Sequence, residues 1–488
     1  MGNRTNSKRI YYLIKLFLMI FCLLLALPSY GQSLVSNVDG KIRVIILHYG
    51  KPRRDGFWHD QTVFFRDLMN KMDKDVAFVV VLGKDKKAEK AREILKPYAE
   101  AKLPDGTPRV KFLTVDVETN NFYPWARDGY LILADEKGNL TFLDVGFNEK
   151  PFPITNFDEV FENAKTLAGV IHRGGGNIRT TRSEMIIGMD TMLGITVPPR
   201  WYPYSEKNLY LMAKELKPKD VPLFRKKFTA YCKFIQRVLA PDKKLVIPGE
   251  DDFFARLEKG EFAFTKKTVR DTGAQASYHT DVYLGLGHID ERGKRVIFIA
   301  DARLGAKVIE RMTEEERRAI ERKLPKILAQ EGLTACDIPV TAEQIAKRFK
   351  WDKKKLLDLS LKRALEVAPR LDKAAKRMEE LGYRVVRIPY LPNGLCTKRE
   401  YGISFNYSNV LTEVYGNRKR VYMPEYGFPQ MDDAAAEAYR NCGFEVVRIK
   451  GVVTQSLTWA QDNAGIDCLT SEIRFPVRWA KKYYRKDQ

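Results

Sequence analysis

A chain of 488 residues with 44% hydrophobic content is long enough for two ordinary domains or one large repetitive one, which excludes a disordered or fibrous protein. Lys and Arg number 84 against 62 Asp and Glu, a formal charge of +22. The basic residues are nevertheless scattered through helical stretches with Glu and Asp, and no zinc-knuckle or RNA-binding sheet motif accompanies them, so nucleic acid is not an expected partner. The charge reads as a solvated surface suited to an anionic cell envelope.

The first segment has the pattern of a secretory signal. Arg4, Lys8, Arg9 and Lys15 precede an apolar run over 16–27, which Pro28, Ser29 and Gly31 end. The run is too short for a comfortable membrane span, so cleavage is expected after about Gly31; an uncleaved N-terminal anchor is the alternative. Either way the body, 32–488, is expected outside the cytoplasm, secreted or periplasmic. Taking away the four leader cations, with no Asp or Glu among residues 1–31, leaves +18. Cys22 leaves with the leader, and the remaining Cys232, Cys336, Cys396, Cys442 and Cys468 make an odd number, so at least one thiol is free, reactive or bonded between molecules.

In chain order, the body opens with a strand over 42–48, a helix over 62–74 and a strand over 76–82, an alternating pattern of the α/β class. Strands are then expected over 110–115, 130–133, 140–144, 185–187, 276–285, 295–299, 383–388, 421–423 and 445–449, with helices between many of them. Two sequences containing Asp and Gly, 135–139 and 290–294, read as hairpin turns. Residues 381–388 match 442–449 at an offset of 61, each copy following an Ala-rich helix and a glycine stop. A period of this size suggests a ring or stack of βαβ-type units; convergence of two helix-to-strand junctions is the alternative. Helical insertions are expected at about 198–264 and 313–381, the second packed outside the core and opened by a capping box of Thr313 and Glu316.

Four segments place ionisable residues beside strand ends and glycine turns. Trp125-Ala126-Arg127-Asp128-Gly129 leaves a turn and enters a strand, where an Asp before Gly is by itself an ordinary turn residue. In Tyr278-His279-Thr280-Asp281, read as strand, the spacing puts His279 and Asp281 on one face. His288 and Asp290 share that spacing, but Asp290 belongs to the hairpin turn. Gly174-Gly175-Gly176-Asn177 lets the backbone turn sharply or approach closely, without the Lys-Ser or Lys-Thr of a phosphate loop. Asp462-Asn463-Ala464-Gly465-Ile466-Asp467-Cys468 sets a cysteine among polar and glycine residues, placed as a nucleophile or as a core thiol.

Together, in this order, the segments resemble the guanidine-modifying, or pentein, superfamily. Trp125 to Asp128 is similar to a stretch of agmatine deiminases, and 279–284 with its hairpin and 295–303 to the His-x-Asp segment of protein-arginine deiminases. Tyr407-Ser408-Asn409, Pro424, Gly427, Asp432 to Ala435 and Gly465 to Cys468 follow the order of the agmatine deiminase C-terminus. The resemblance covers about 110–180, 270–305 and 380–475. It departs where agmatine deiminases carry a Glu before the glycines and this chain has Gly174, which argues against agmatine more than against the reaction.

The resemblance implies a five-bladed α/β propeller of ββαβ units and a hydrolase acting on an arginine-like small molecule or on peptidyl-arginine. Cys468 would be the nucleophile, His279 the acid and base, and Asp128 and Asp281 the carboxylates that grip the guanidinium, with Trp125 and Asn177 also contacting substrate. No cofactor is implied, and no zinc-ligand spacing is present. Amidino transfer to an amine and a non-catalytic binding role are the alternatives.

Overall fold

In the computed structural model the described residues are 32–50, 57–119, 124–145, 156–171, 175–194, 216–261, 276–277, 279–335, 338–395, 401–458 and 465–483. The leader, Cys336 and Cys396 lie outside them.

The first sheet shows how one building block is made. Val44–Tyr49 and Ala77–Leu82 are near-continuous runs of β-branched and aromatic residues, buried throughout, as a parallel strand covered on both faces requires. They pair in parallel, Val44 opposite Ala77, across the helix Thr62–Lys71. On the other edge Val44 pairs antiparallel with Ile473 of Thr470–Ile473, so the two ends of the chain share a sheet. Its core is an antiparallel pair, a helix and a parallel third strand.

The strand arrangement recurs, giving five units among the described residues, with an α-helix before the third strand in all but the second, where only the single 3-10 turn Phe157–Glu159 is described. The second joins Tyr130–Ala134 to Leu140–Val145 antiparallel and Ala164–Ile171 parallel. The third joins Ile178–Thr180 and Glu184–Ile187, then Lys244–Val246 after the helix Val221–Leu239. The fourth uses Leu284–Ile289, Arg295–Asp301 and, after several helices, Arg384–Leu391. The fifth uses Leu411–Tyr415, Arg418–Pro424, the helix Pro429–Arg440 and Glu445–Ile449. The two expected hairpin turns join first and second strands, with Gly138 and Gly293 at positive φ.

The 61-residue repeat has a structural cause. Arg384 and Glu445 are equivalent first positions of the third strands, opposite Val296 and Arg420. Each follows a helix closed by a left-handed glycine: Gly382 and Gly443 donate to Glu379 and Arg440, and Tyr383 and Phe444 donate back to Met378 and Tyr439. That is the Schellman stop.

Two expectations are corrected. Of the segment 276–285, in which Tyr278 lies outside the described residues, 279–283 are not strand: Tyr283 and Leu284 both donate to the Thr280 carbonyl, making a turn, and the strand begins only at Leu284. The helices between 313 and 381 do not lie outside the core. Ile320, Leu324 and Leu328 of Glu314–Gln330, with Leu357, Val367 and Leu371 of Leu356–Glu380, belong to the largest apolar cluster, because the second helix lays an apolar face on the fourth sheet and the first packs against that helix and its neighbours. The capping box of Thr313 and Glu316 is formed. No helix of the described residues is long and apolar enough to cross a membrane.

Candidate active site

Each unit is entered through a short turn, and the five turns meet. Ala126–Gly129 precedes the second unit, Gly175–Asn177 the third, 279–283 the fourth, 406–410 the fifth and Ile466–Leu469 the first. Hydrogen bonds link them in a closed ring. Gly176 N donates to Asp128 Oδ1 at 3.3 Å, Asp281 N to Gly176 O at 3.0 Å, and Asn409 Nδ2 to Asp281 O at 3.1 Å. Asn409 Oδ1 accepts from Cys468 N at 3.2 Å, and Arg127 Nη2 donates to Asp467 Oδ1 at 3.0 Å.

Four of the expected residues are thereby brought together and buried. The Cys468 thiol donates to Asp281 Oδ2 at 3.0 Å and accepts from Asn409 Nδ2 at 3.1 Å. His279 Nδ1 lies 3.7 Å from Asp128 Oδ1 and 3.9 Å from Asp281 Oδ1, between the two carboxylates. The glycines act by close approach: a Cβ on Gly176 would stand 2.6 Å from Asp281 Oδ2, and one on Gly175 2.3 Å from the Arg127 carbonyl. Asn177 is also here, with its backbone carbonyl accepting from Thr280 Oγ1 at 3.1 Å. Its Oδ1 and Asp281 Oδ1 are buried acceptors with no hydrogen-bond partner. Trp125 is half-buried on an apolar cluster that contains Ile466 and Leu469. His288 and Asp290 stand elsewhere, Asp290 accepting the hairpin amides of Arg292 and Lys294.

Burial sets the protonation of this cluster. It pushes Asp128 up to about 7, with Asp467 adding repulsion against the pull of Gly176 N–H and Arg127. It likewise pushes Asp281 up to about 7, where His279 and Arg179 oppose and Asp467 and Asp128 reinforce the rise. The Cys468 thiol is driven well above its ordinary range, first by burial and then by the charges of Asp281 and Asp128. The nearest charged partners of the sulfur are therefore carboxylates, and the resting group is a thiol rather than a ready thiolate.

Sequence reasoning named Asn409 within the resemblance but gave no role to this residue, which holds Gly465 N, Cys468 N and Sγ together. It also passed over Arg127, Arg179 and Asp467, buried beneath the site. Arg127 and Asp467 stood next to candidates, so a pair of opposite charges flanking two of them was the available signal. Among the described residues no group of three or more His, Cys, Asp and Glu is placed to hold a metal ion.

The chain resembles agmatine deiminases. The C. jejuni agmatine deiminase matches at 11% identity and a TM-score of 0.44, covering 93% of this chain and 99% of that one. The agmatine deiminase of Enterococcus faecalis matches at 12% identity and 0.44, covering 91% and 96%. No family model matches the sequence, and no curated protein matches it.

Proposed function

We propose that the protein is an extracytoplasmic guanidino-group hydrolase that converts an arginine-like guanidinium to a ureido group and ammonia. The observation that carries this reading is the convergence of a thiol, an imidazole, two carboxylates, one of them with an unpartnered oxygen, and the unpartnered Asn177 Oδ1 in one buried ring of turns. A guanidinium is a planar cation with several N–H donors, and it matches such acceptors in charge and fork geometry.

The reaction uses the protonation states set by burial. A guanidinium entering between Asp128 and Asp281 brings positive charge beside Cys468, which offsets the burial and the carboxylate repulsion that keep the sulfur protonated. The thiol gives up its proton to His279, and the thiolate forms a C–S bond at the guanidinium carbon. His279 returns a proton to the departing nitrogen, the C–N bond breaks and ammonia leaves. Water then adds to the thiouronium as His279 takes one of its protons, the C–S bond breaks, the remaining hydroxyl proton passes to solvent to leave the neutral ureido product, and His279 returns its proton to the sulfur to restore the thiol.

The finer parts of the reading rest on further features. The five units, with site turns joined in a ring, support a five-bladed α/β propeller of the pentein type. The basic and apolar leader supports export with cleavage near Gly31, and 198–264 and 313–381 are read as insertions between strands of one catalytic domain. Export favours arginine within peptides or proteins as substrate, and the surplus positive charge favours attraction to an anionic envelope. The test is incubation of the chain from residue 32 with free arginine, agmatine and an arginine-containing peptide, with assay of ammonia and ureido product. Ammonia from at least one is expected; none from any of them overturns the reading.

A further inference from the structure

Beneath the site lies a second layer of charge that the reaction above does not use. Asp467, the residue before Cys468, is 1% exposed and accepts from two arginines of other units. One is Arg127, 3.0 Å from Oδ1, which itself precedes Asp128. The other is Arg179, two residues after Asn177, which donates to Oδ2. Arg127 also donates to the buried Glu472, whose other oxygen accepts from Asn37 Nδ2 at 3.2 Å and stands 3.5 Å from Arg474. Arg127, Arg179 and Asp467 each stand one or two positions from a site residue, yet none of the three hydrogen-bonds the thiol.

We propose that Arg127, Arg179 and Asp467 are positioning residues, a buried ionic clamp that locks the Cys468 turn to the Asp128 and Asn177 turns and keeps positive charge beneath the carboxylate pair. The inference rests on the proposed reaction for its kinetic readout. Geometry supplies the first half: Asp467 takes one donor on each carboxylate oxygen, Arg127 Nη2 from the Asp128 turn and Arg179 Nη1 from the strand that follows Asn177, so one group ties the cysteine turn to two other units, and a shift of about an ångström in such a site costs on the order of a hundredfold in rate. Charge supplies the second half. Asp128 faces Arg127, Asp467 and His279, and Asp281 faces Arg179, His279, Asp128, Asp467 and Cys468. Arg127 and Arg179 favour the ionised carboxylates, whereas Asp467 opposes them. A merely structural salt bridge has no reason to move the ionisation of the site in opposite directions when its two halves are removed separately.

The experiment compares Asp467→Asn, Arg127→Gln, Arg127→Lys and the double variant Arg127→Gln/Asp467→Asn. It measures kcat/KM against pH and, independently of turnover, the pH profile of Cys468 alkylation by iodoacetamide, read by peptide mass. Asp467→Asn should move the acid limb and the alkylation profile down by about one unit, and Arg127→Gln should move both up by about as much. Arg127→Lys should hold the limb in place yet lose at least about tenfold in kcat, because the charge stays while the guanidinium whose Nη2 bridges Asp467 and Glu472 is lost. Arg127→Gln strips a cation from two buried carboxylates and can fail to fold; Arg127→Lys, Asp467→Asn and the double variant, which removes the pair together, then decide. The clamp is overturned if folded Arg127→Lys keeps kcat within twofold of the parent, if the Asp467→Asn limb stays in place or moves up, if a folded Arg127→Gln limb stays in place or moves down, or if the double variant shifts as far as Asp467→Asn alone. If the parent releases no ammonia from any guanidino compound, the functional reading fails and the alkylation profiles alone judge the clamp.

Discussion

Replacing Asp128 by Asn should make the protein more stable at alkaline pH while disabling it. Asp128 is 3% exposed, and burial pushes its carboxyl from 3.8 up to about 7. A folded-state value above the unfolded one means that the native chain holds the proton more tightly. Stability is then fully present below about pH 4 and is lost as pH rises towards 7, beyond which the deficit is constant. At about 1.36 kcal/mol per unit, a rise of about three units corresponds to roughly 4 kcal/mol, and losing the charged partner of the Gly176 N–H offsets part of it, leaving on the order of 2–4 kcal/mol. Asn keeps the size and the acceptor oxygen but carries no charge. Urea unfolding of Asp128→Asn and parent should therefore coincide near about pH 4 and separate in favour of Asn by about pH 9. Equal differences at both pH values, or an Asn variant less stable at the higher one, would refute the assignment of a strained buried carboxylate.

Both Asp128→Asn and Asp281→Asn should lower turnover of guanidino substrates by roughly two orders of magnitude, since each removes a charge-assisted pair that also aligns the carbon with Cys468; rates within a few-fold of the parent for every substrate would sink the carboxylate grip. For the parent, kcat/KM should rise with pH through about 7 as Asp128 and Asp281 ionise, and a profile flat from pH 5 to 8 would count against them. Cys468→Ala should abolish ammonia release with the fold intact by circular dichroism, whereas Cys232→Ala and Cys442→Ala, both in apolar clusters, should keep the chemistry even if less stable. Gly176→Ala puts a methyl 2.6 Å from Asp281 Oδ2, a side-chain end that must turn away from Cys468, and should cut kcat more than it lowers stability; Gly175→Ala meets the Arg127 backbone carbonyl at 2.3 Å and should destabilise the chain in thermal melts.

What could be read locally was read well. The 61-residue repeat signals a Schellman stop followed by a buried strand, and that signal is carried by a glycine and its immediate neighbours. The hairpin at 290–294 was legible for the same reason, since Asp290 and Gly293 determine the turn within five residues. His279 and Asp281 were grouped correctly on an incorrect local argument: they share a turn, not a strand face, because the Thr280 carbonyl captures the amides of Tyr283 and Leu284. Short strands such as Ile178–Thr180 and Leu411–Tyr415 were missed because so few residues carry no period that composition can reveal.

The sequence by itself determined the alternating α/β order, the glycine stops and the residue types at the unit entrances, all properties of neighbouring residues. Only the tertiary structure decided that five such entrances close on one another, that Asn409 holds the cysteine turn, and that Arg127 reaches Asp467 across 340 positions of chain. It also decided that the two carboxylates and the thiol are protonated more readily than their types predict. Desolvation and through-space charge depend on what surrounds a group in three dimensions, and residues so far apart in the chain meet only once the sheets have packed.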